Sequence, residues 1–157
     1  MSLRSRIGLV GFFISALAGV ASAQETVNIS VPLSVAFQVV DVNQPVSTTL
    51  TVSFSSANLI PGHVLRISTR ADSIEFVGPA GNKIPASAVS WTASNAQGGI
   101  GSNGTLSSST DVLVFRSELL PNAGRVDLTF HLQPPANVHA GTHSLSLRWN
   151  IEAVDGP

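Results

Sequence analysis

Four histidines, His63, His131, His139 and His143, are the side chains with the most evident capacity for chemistry in this chain. His139 and His143 flank one turn, and imidazole nitrogen is a common ligand of zinc and copper. A pair on either side of a turn lacks the fixed same-face geometry of a helical i, i+4 pair, and no carboxylate stands close to it in sequence. The pattern therefore predicts no metal site, and it favours solvent-exposed turn histidines.

Residue types used in catalysis are present, but they form no recognisable catalytic motif. Serine, histidine and aspartate all occur, but no Gly-x-Ser-x-Gly nucleophile elbow does. The nine carboxylates are dispersed, so no two of them share a strand face in a way that would separate a general acid from a general base. The chain has no cysteine, which excludes thiolate nucleophiles, metal thiolates and disulfides. We therefore predict a protein that is not an enzyme, with no catalytic residues and no cofactor.

The segment from Gln97 to Thr105 is rich in glycine and reads Gln-Gly-Gly-Ile-Gly-Ser-Asn-Gly-Thr. Glycine-rich loops can cradle phosphate, but that use needs a following helix N-terminus and usually a lysine. Neither pattern follows here, so the segment predicts a flexible hairpin loop at the tip of a sheet.

Trp91 and Trp149 are the only large aromatic candidates for stacking on a sugar ring. Each alternates in step with apolar neighbours, which predicts that both indoles are buried in the core. A carbohydrate-binding or adhesion module that acts as a monomer, with surface glycans as its partners, is therefore the alternative function.

The first 23 residues have the pattern of a secretory signal peptide. Arg4 and Arg6 supply the positive start, residues 7–20 the apolar run, and Ala21-Ser22-Ala23 the small-residue cleavage motif. The run is shorter than the ~20 residues that cross a bilayer, and no basic stop signal follows. We expect an exported protein with no membrane insertion after processing.

Residues 24–157 are long enough for one domain with a core of its own. Processing removes two of the eight basic residues and none of the nine acidic ones, so the mature chain is weakly negative. Its remaining basic residues form no cluster. Binding to nucleic acid or to an anionic membrane, which needs clustered Lys and Arg, is not expected.

A long alternating stretch begins just after the predicted cleavage site. An apolar residue stands at every odd position of this stretch: Val27, Ile29, Val31, Leu33, Val35, Phe37 and Val39. Period two predicts a β-strand with one buried face. At about 3.3 Å per residue the stretch spans roughly 40 Å, about twice a typical strand. Two outcomes are open: the strand bends at Pro32 and completes its own domain, or its first half pairs with another molecule.

Shorter alternating segments separated by turn residues follow along the rest of the chain. They predict strands at Thr48–Ser55, Val64–Arg70, Ile74–Val77, Ala88–Ala93, Val112–Ser117, Arg125–Leu132 and His143–Val154. No helical periodicity is present. The pattern predicts an all-β fold, a single antiparallel immunoglobulin-like β-sandwich of about eight strands. The expected core comprises Leu50, Val52, Phe54, Trp91, Val126, Leu128, Phe130, Leu145, Leu147, Trp149 and Ile151.

The stretch Val138-His139-Ala140-Gly141-Thr142-His143-Ser144-Leu145-Ser146-Leu147 resembles the ending of secreted bacterial pilin-like sandwiches, including the spore coat protein U group and chaperone–usher pilins. In those families an Ala-Gly-Thr-Tyr turn opens the last strand, and a protruding N-terminal strand can complete the open sandwich of a neighbouring subunit. This chain departs from the pattern at His143, which replaces the tyrosine, and in lacking the disulfide common in such subunits.

Together these observations predict a secreted structural subunit that self-assembles into an extracellular fibre or pilus-like surface structure by N-terminal strand addition. Its partners would be copies of itself. We expect it outside the cell or on the cell surface, reached through the periplasm in a Gram-negative cell. The contributed strand would present one row of side chains to the neighbour: Val27, Ile29, Val31, Leu33, Val35 and Phe37.

Overall fold

The computed structural model describes residues 5–7, 24–80 and 83–157, so most of the predicted signal peptide lies outside the described residues. The described chain is all-β, with one 3-10 turn at Ala86–Ala88. No helix within it is long and apolar enough to cross a bilayer. Its strands are β1 (Ser5–Ile7), β2 (Thr26–Ser30), β3 (Ser34–Val39), β4 (Val46–Asn58), β5 (His63–Ala71), β6 (Val89–Gln97), β7 (Gly99–Gly101), β8 (Gly104–Thr105), β9 (Val112–Ser117), β10 (Gly124–Leu132) and β11 (Gly141–Asp155).

The strands form two antiparallel sheets. The first has the order β1-β11-β5-β9-β7, and β3 also pairs with β11. The second has the order β2-β4-β10-β6-β8. The prediction of an all-β, antiparallel, sandwich-like fold is confirmed. Eleven strands are present in the described residues, against about eight expected, because the long N-terminal stretch is divided and several added strands are very short.

One hydrophobic core takes side chains from both sheets. In β10, for example, Val126, Leu128 and Phe130 are fully buried while the residues between them face outward, as period two requires. Burying each such side chain contributes about 1.5–3 kcal/mol. The predicted core residues are buried except for Leu50 and Trp149, which are half-buried and pack against the core. The prediction that Trp149 is a core residue is therefore only partly right.

The N-terminal stretch breaks at Pro32 into two strands that belong to different sheets. Its first half, β2, pairs with β4 in the second sheet. Its second half, β3, pairs with β11 in the first sheet. Proline cannot donate to a β-ladder, so the strand ends where Pro32 stands and the chain crosses between the sheets.

The glycine-rich segment is not a plain loop, and this prediction is corrected. It carries β7 in the first sheet and β8 in the second, so the chain crosses between the sheets twice within a few residues. Gly104 lies so close to Trp91 that an added Cβ would stand 2.4 Å from the indole Cζ2. The Trp91 Nε1 donates to the Ser102 carbonyl oxygen at 2.8 Å. The glycine here permits close packing against the indole.

The predicted strand at Ile74–Val77 is also corrected. It forms only isolated bridges, Glu75 with Pro85 and Val77 with Ser144. Phe76 is buried in the core between Ile74 and Val77, which are both largely exposed. One inward side chain is enough to attach the segment to the core, but it does not extend a ladder.

Candidate functional site

Strand β2 is the part of the predicted donor strand with the weakest attachment. It pairs with β4 through Asn28–Ser55, Ile29–Phe54 and Ser30–Ser53, with an irregularity between Thr26 and Asn28. Val27, Ile29 and Val31 are half-buried against the core, whereas the alternate side chains are exposed. β2 is thus a five-residue edge strand with half of its side chains in solvent, and short edge strands of this kind are among the less stable elements of a sheet.

The connection between β2 and β3 is short and is fastened at two points. The Trp149 Nε1 donates a hydrogen bond to the carbonyl oxygen of Pro32 at 2.6 Å. The Leu147 N–H donates to the carbonyl oxygen of Leu33 at 2.9 Å. The Leu33 side chain, which the alternation placed on the buried face, is 73 % exposed because the chain is turning there. We name residues 31–33 the hinge.

Strand β3, the second half of the predicted donor, is an integral part of this chain's own core. Val35 and Phe37 are at most 1 % exposed, and Phe37 packs against the ring of Phe76 at 5.9 Å between centroids. Its pairing with β11 runs from Val39–Gly141 to Ser34–Ser146. Removing β3 would therefore open the core. Of the six predicted contact residues, Val35 and Phe37 are deeply buried, whereas the four that precede them are half-buried or exposed.

The N-terminal end of β2 is held by a buried carboxylate. The Glu25 side chain is 3 % exposed, and its Oε1 accepts hydrogen bonds from the Ile60 N–H at 2.9 Å and from His63 Nδ1 at 2.7 Å. His63 Nε2 lies 3.3 Å from Asp155 Oδ1 at the end of β11. Glu25 Oε2 is buried and has no hydrogen-bond partner among the described residues. We name Glu25, His63 and Asp155 the terminal cluster.

A second strand edge involves the predicted signal peptide itself. Within β1, Ser5 pairs with Ala153 and Ile7 with Ile151, on the side of β11 opposite β5. If residues 1–23 are removed, that edge of β11 loses this partner. Edges of this kind present unpaired backbone groups to which another strand can add.

The histidines were predicted to be solvent-exposed turn residues, and three of the four do not fit that prediction. His143 is 2 % exposed, and its Nε2 lies 2.9 Å from the His139 carbonyl oxygen. An added Cβ on Gly78 would stand 2.3 Å from the His143 Nδ1, so the ring fills the space that this glycine leaves. His63 is half-buried in the terminal cluster. His131 is exposed but lies on strand β10. His139 alone is both exposed and outside a strand.

The described residues contain no group of three or more His, Cys, Asp or Glu side chains placed to hold a metal ion. His139 and His143, which were the first ligands to consider, are joined instead through a main-chain oxygen of His139. The His143 Nε2 is therefore already engaged in a hydrogen bond to the main chain.

The two tryptophans offer little surface to a sugar ring. Trp91 is 1 % exposed, and its Nε1 is bonded to the main chain. Trp149 is half-buried, and its Nε1 is bonded to Pro32. Neither indole forms an open platform.

A polar cluster on the outer face of the second sheet perturbs one carboxyl group. Asp127 accepts hydrogen bonds from Asn95 Nδ2 at 2.9 Å, from Thr51 Oγ1 at 2.7 Å and from Arg125 at 2.8 Å. These donors, Asn95 first, lower the pKa of Asp127 from 3.8 to about 2. The cluster joins three neighbouring strands, β4, β6 and β10, across the sheet.

Glu25 is the residue of this region that was not predicted from the sequence, although a signal was present. It extends the odd-numbered row of Val27, Ile29 and Val31 by one position, which predicts a carboxylate on the buried side of a strand. A buried carboxylate requires a partner, and the partners here come from residues more than thirty positions away.

Comparisons with models of protein families, with curated proteins and with solved structures found no match to this chain.

Proposed function

We propose that the processed chain is a secreted structural subunit that assembles into an extracellular fibre or surface structure by exchanging its N-terminal strand. The donor is β2, which leaves β4 of its own domain and pairs with β4 of the next copy. An immunoglobulin-like, pilin-like class and a location outside the cell or on its surface belong to the same proposal. The turn Ala140-Gly141-Thr142 at the start of β11 supports that class.

The observation that carries the proposal is the contrast between the two halves of the N-terminal stretch. Val35 and Phe37 are locked in the core, whereas Val27, Ile29 and Val31 are only half-buried. Three half-buried apolar side chains contribute roughly 2–4 kcal/mol before ordering costs. Opening of β2 alone is therefore far less costly than unfolding the domain.

Exchange preserves the contacts that β2 makes in its own domain. The vacated edge of β4, from Ser53 to Asn58, is the same surface in every copy, so a neighbour's β2 fits it without any new complementarity. Head-to-tail transfer leaves an unused donor at one end and a vacant edge at the other, so it propagates into a filament where the rotation between copies does not close a ring or a reciprocal dimer. Because the net gain per subunit is small, we expect assembly to depend strongly on protein concentration.

Deletion of residues 24–31 tests the proposal. The shortened protein keeps β3 and the core, so we expect a folded monomer that does not assemble at concentrations where the intact processed protein forms filaments in electron micrographs. A synthetic peptide of residues 24–31 should bind the vacated edge and raise the melting temperature. The proposal fails if the intact protein stays monomeric at high concentration, or if the shortened protein assembles equally well.

A further inference from the structure

We infer that Glu25 is an intramolecular binding site for the α-ammonium group that processing after Ala23 creates at Gln24. Removal of the signal peptide would then complete the terminal cluster and fix the free end of β2. The inference takes the predicted cleavage as its premise. It concerns the strand that the proposed function exchanges, but it does not require that exchange takes place.

The first step is the unequal use of the two carboxylate oxygens of Glu25. Oε1 accepts two hydrogen bonds, from Ile60 N–H and His63 Nδ1, while Oε2 is buried without a partner among the described residues. A buried ionised oxygen that lacks a hydrogen bond is strongly destabilising. The site as it stands is therefore short of one donor.

The second step is the charge of the cluster. Glu25 and Asp155 are carboxylates on either side of His63, and no lysine or arginine of the described chain forms an ion pair with either of them. An imidazole ring can donate from both nitrogens only when it is protonated. Even then Glu25 shares this one positive partner with Asp155, whose side chain is 82 % exposed, so the buried Glu25 has no cation of its own among the described residues.

The third step is proximity. In the unprocessed chain the nitrogen of Gln24 is an uncharged amide, and cleavage converts it into an ammonium group with three donors and a full positive charge. One peptide unit joins Gln24 to Glu25, and their Cα atoms are about 3.8 Å apart. Gln24 is exposed, so rotation at the new terminus can turn the ammonium group towards Oε2. The missing donor and the missing cation would be supplied by the same group.

The test compares two modifications of the α-amine on protein that has been exported from the full-length chain and processed. Lys83 is the only lysine, so Lys83→Arg leaves the α-amine as the only reactive amine. Gln24→Ser prevents the amine from attacking its own side-chain amide and cyclising. In this background acetylation removes the charge of the amine, whereas reductive dimethylation retains it. Mass spectrometry of the N-terminal peptide confirms each product.

We expect acetylation to lower the melting temperature by about 3–6 °C and dimethylation to leave it within about 1 °C. In a Glu25→Gln background the effect of acetylation should disappear. Amide hydrogen exchange gives a readout that does not depend on that variant: exchange at residues 26–28 should accelerate on acetylation, while exchange in β10 should not change.

The inference is overturned if acetylation and dimethylation have equal effects, or if acetylation lowers the melting temperature as much with Gln at position 25 as with Glu. These measurements are made on dilute monomer. A negative result here would therefore not contradict the exchange of β2. Likewise, a failure to form filaments would not contradict the binding of the α-ammonium group by Glu25.

Discussion

The indole Nε1 of Trp149 donates to the carbonyl oxygen of Pro32 across 2.6 Å, and this bond ties the last strand of the chain to the break in its first apolar stretch. The two residues are separated by most of the domain's length in sequence. Pro32 ends β2 because it cannot donate to a ladder, and Trp149 then fixes the direction in which the chain leaves for the other sheet. The position of the hinge thus depends on a residue near each end of the domain.

Trp149→Phe removes this donor while keeping an aromatic ring against the core. We expect a loss of about 0.5–1.5 kcal/mol of unfolding free energy, because one hydrogen bond is lost, together with faster filament assembly from a freed hinge. Trp91→Phe is the control for loss of an indole hydrogen bond, since Trp91 donates to Ser102 and stands on β6, which two strands separate from β2. Urea unfolding and the lag time of assembly measure both effects. Equal assembly rates for the two variants would contradict the role given to the hinge.

Leu33 is exposed and Ile29 is half-buried, so the same charge substitution at the two positions forms a matched pair. Ile29→Asp places a charge against the core side of β2, which should weaken docking in its own domain and in a neighbour alike and suppress assembly. Leu33→Asp places the same charge in solvent, so assembly should continue near the parental rate. Sedimentation of assembled protein measures both. If Leu33→Asp were the more damaging change, the assignment of β2 as the donor would be wrong.

Gly78→Ala tests the burial of His143. Gly78 has no positive φ, so an alanine is acceptable to the backbone and the nearest obstacle is the His143 ring, 2.3 Å from the new Cβ. We expect a loss of about 1–3 kcal/mol from overpacking. In a His143→Ala background the same substitution should cost much less, which gives a coupling energy in a double-mutant cycle. Additive losses would show that the two residues do not share this space.

The carboxyl of Asp127 should titrate with a midpoint near pH 2. Its pKa is lowered in the folded protein by hydrogen bonds from Asn95, Thr51 and Arg125. A lowered pKa stabilises the fold fully above the unfolded value of about 3.9, and this contribution is lost as the pH falls towards about 2. The difference in unfolding free energy between the parent and Asp127→Asn should therefore shrink between pH 4 and pH 2.

NMR titration of the Asp127 carboxyl measures its midpoint directly. Thr51→Val removes one donor with little change in shape, so it should raise the pKa of Asp127. A midpoint at the ordinary value in the parent protein, or no response to Thr51→Val, would contradict the cause assigned to the shift.

Local alternation was sufficient to predict most of the strands. Val112–Ser117 was predicted with the bounds that the structure gives, and β10 and β11 differ from the prediction by at most two residues at either end. The period-two signal succeeds there because each strand has one face in the core and one in solvent. The break at Pro32 was one of two outcomes left open by the sequence, and it was suggested by the proline itself and not by the alternation.

The features that the sequence did not predict depend on partners far away in the chain. The burial of His143 depends on the space beside Gly78, and the small strands of the glycine-rich segment depend on the Trp91 indole. The buried position of Glu25 depends on a hydrogen bond from His63, thirty-eight residues later. No local pattern encodes such pairings, because they exist only once the two sheets are in place.

The most direct test of strand exchange is disulfide trapping between two single-cysteine variants. The chain has no cysteine of its own, so Ser30→Cys and Ser53→Cys each introduce one thiol. Ser30 on β2 and Ser53 on β4 are paired, at a separation that a disulfide spans. Filaments grown from an equimolar mixture are oxidised and run on a non-reducing gel. Each variant alone reports the background of like-with-like linkage.

A mixture of Thr49→Cys and Thr129→Cys is the control, because these residues pair between β4 and β10, which remain in one chain whether or not β2 exchanges. We predict covalent dimers joining the two variants in the first mixture and none above background in the control. Filaments that form from the first mixture but yield no such dimers would contradict the exchange of β2.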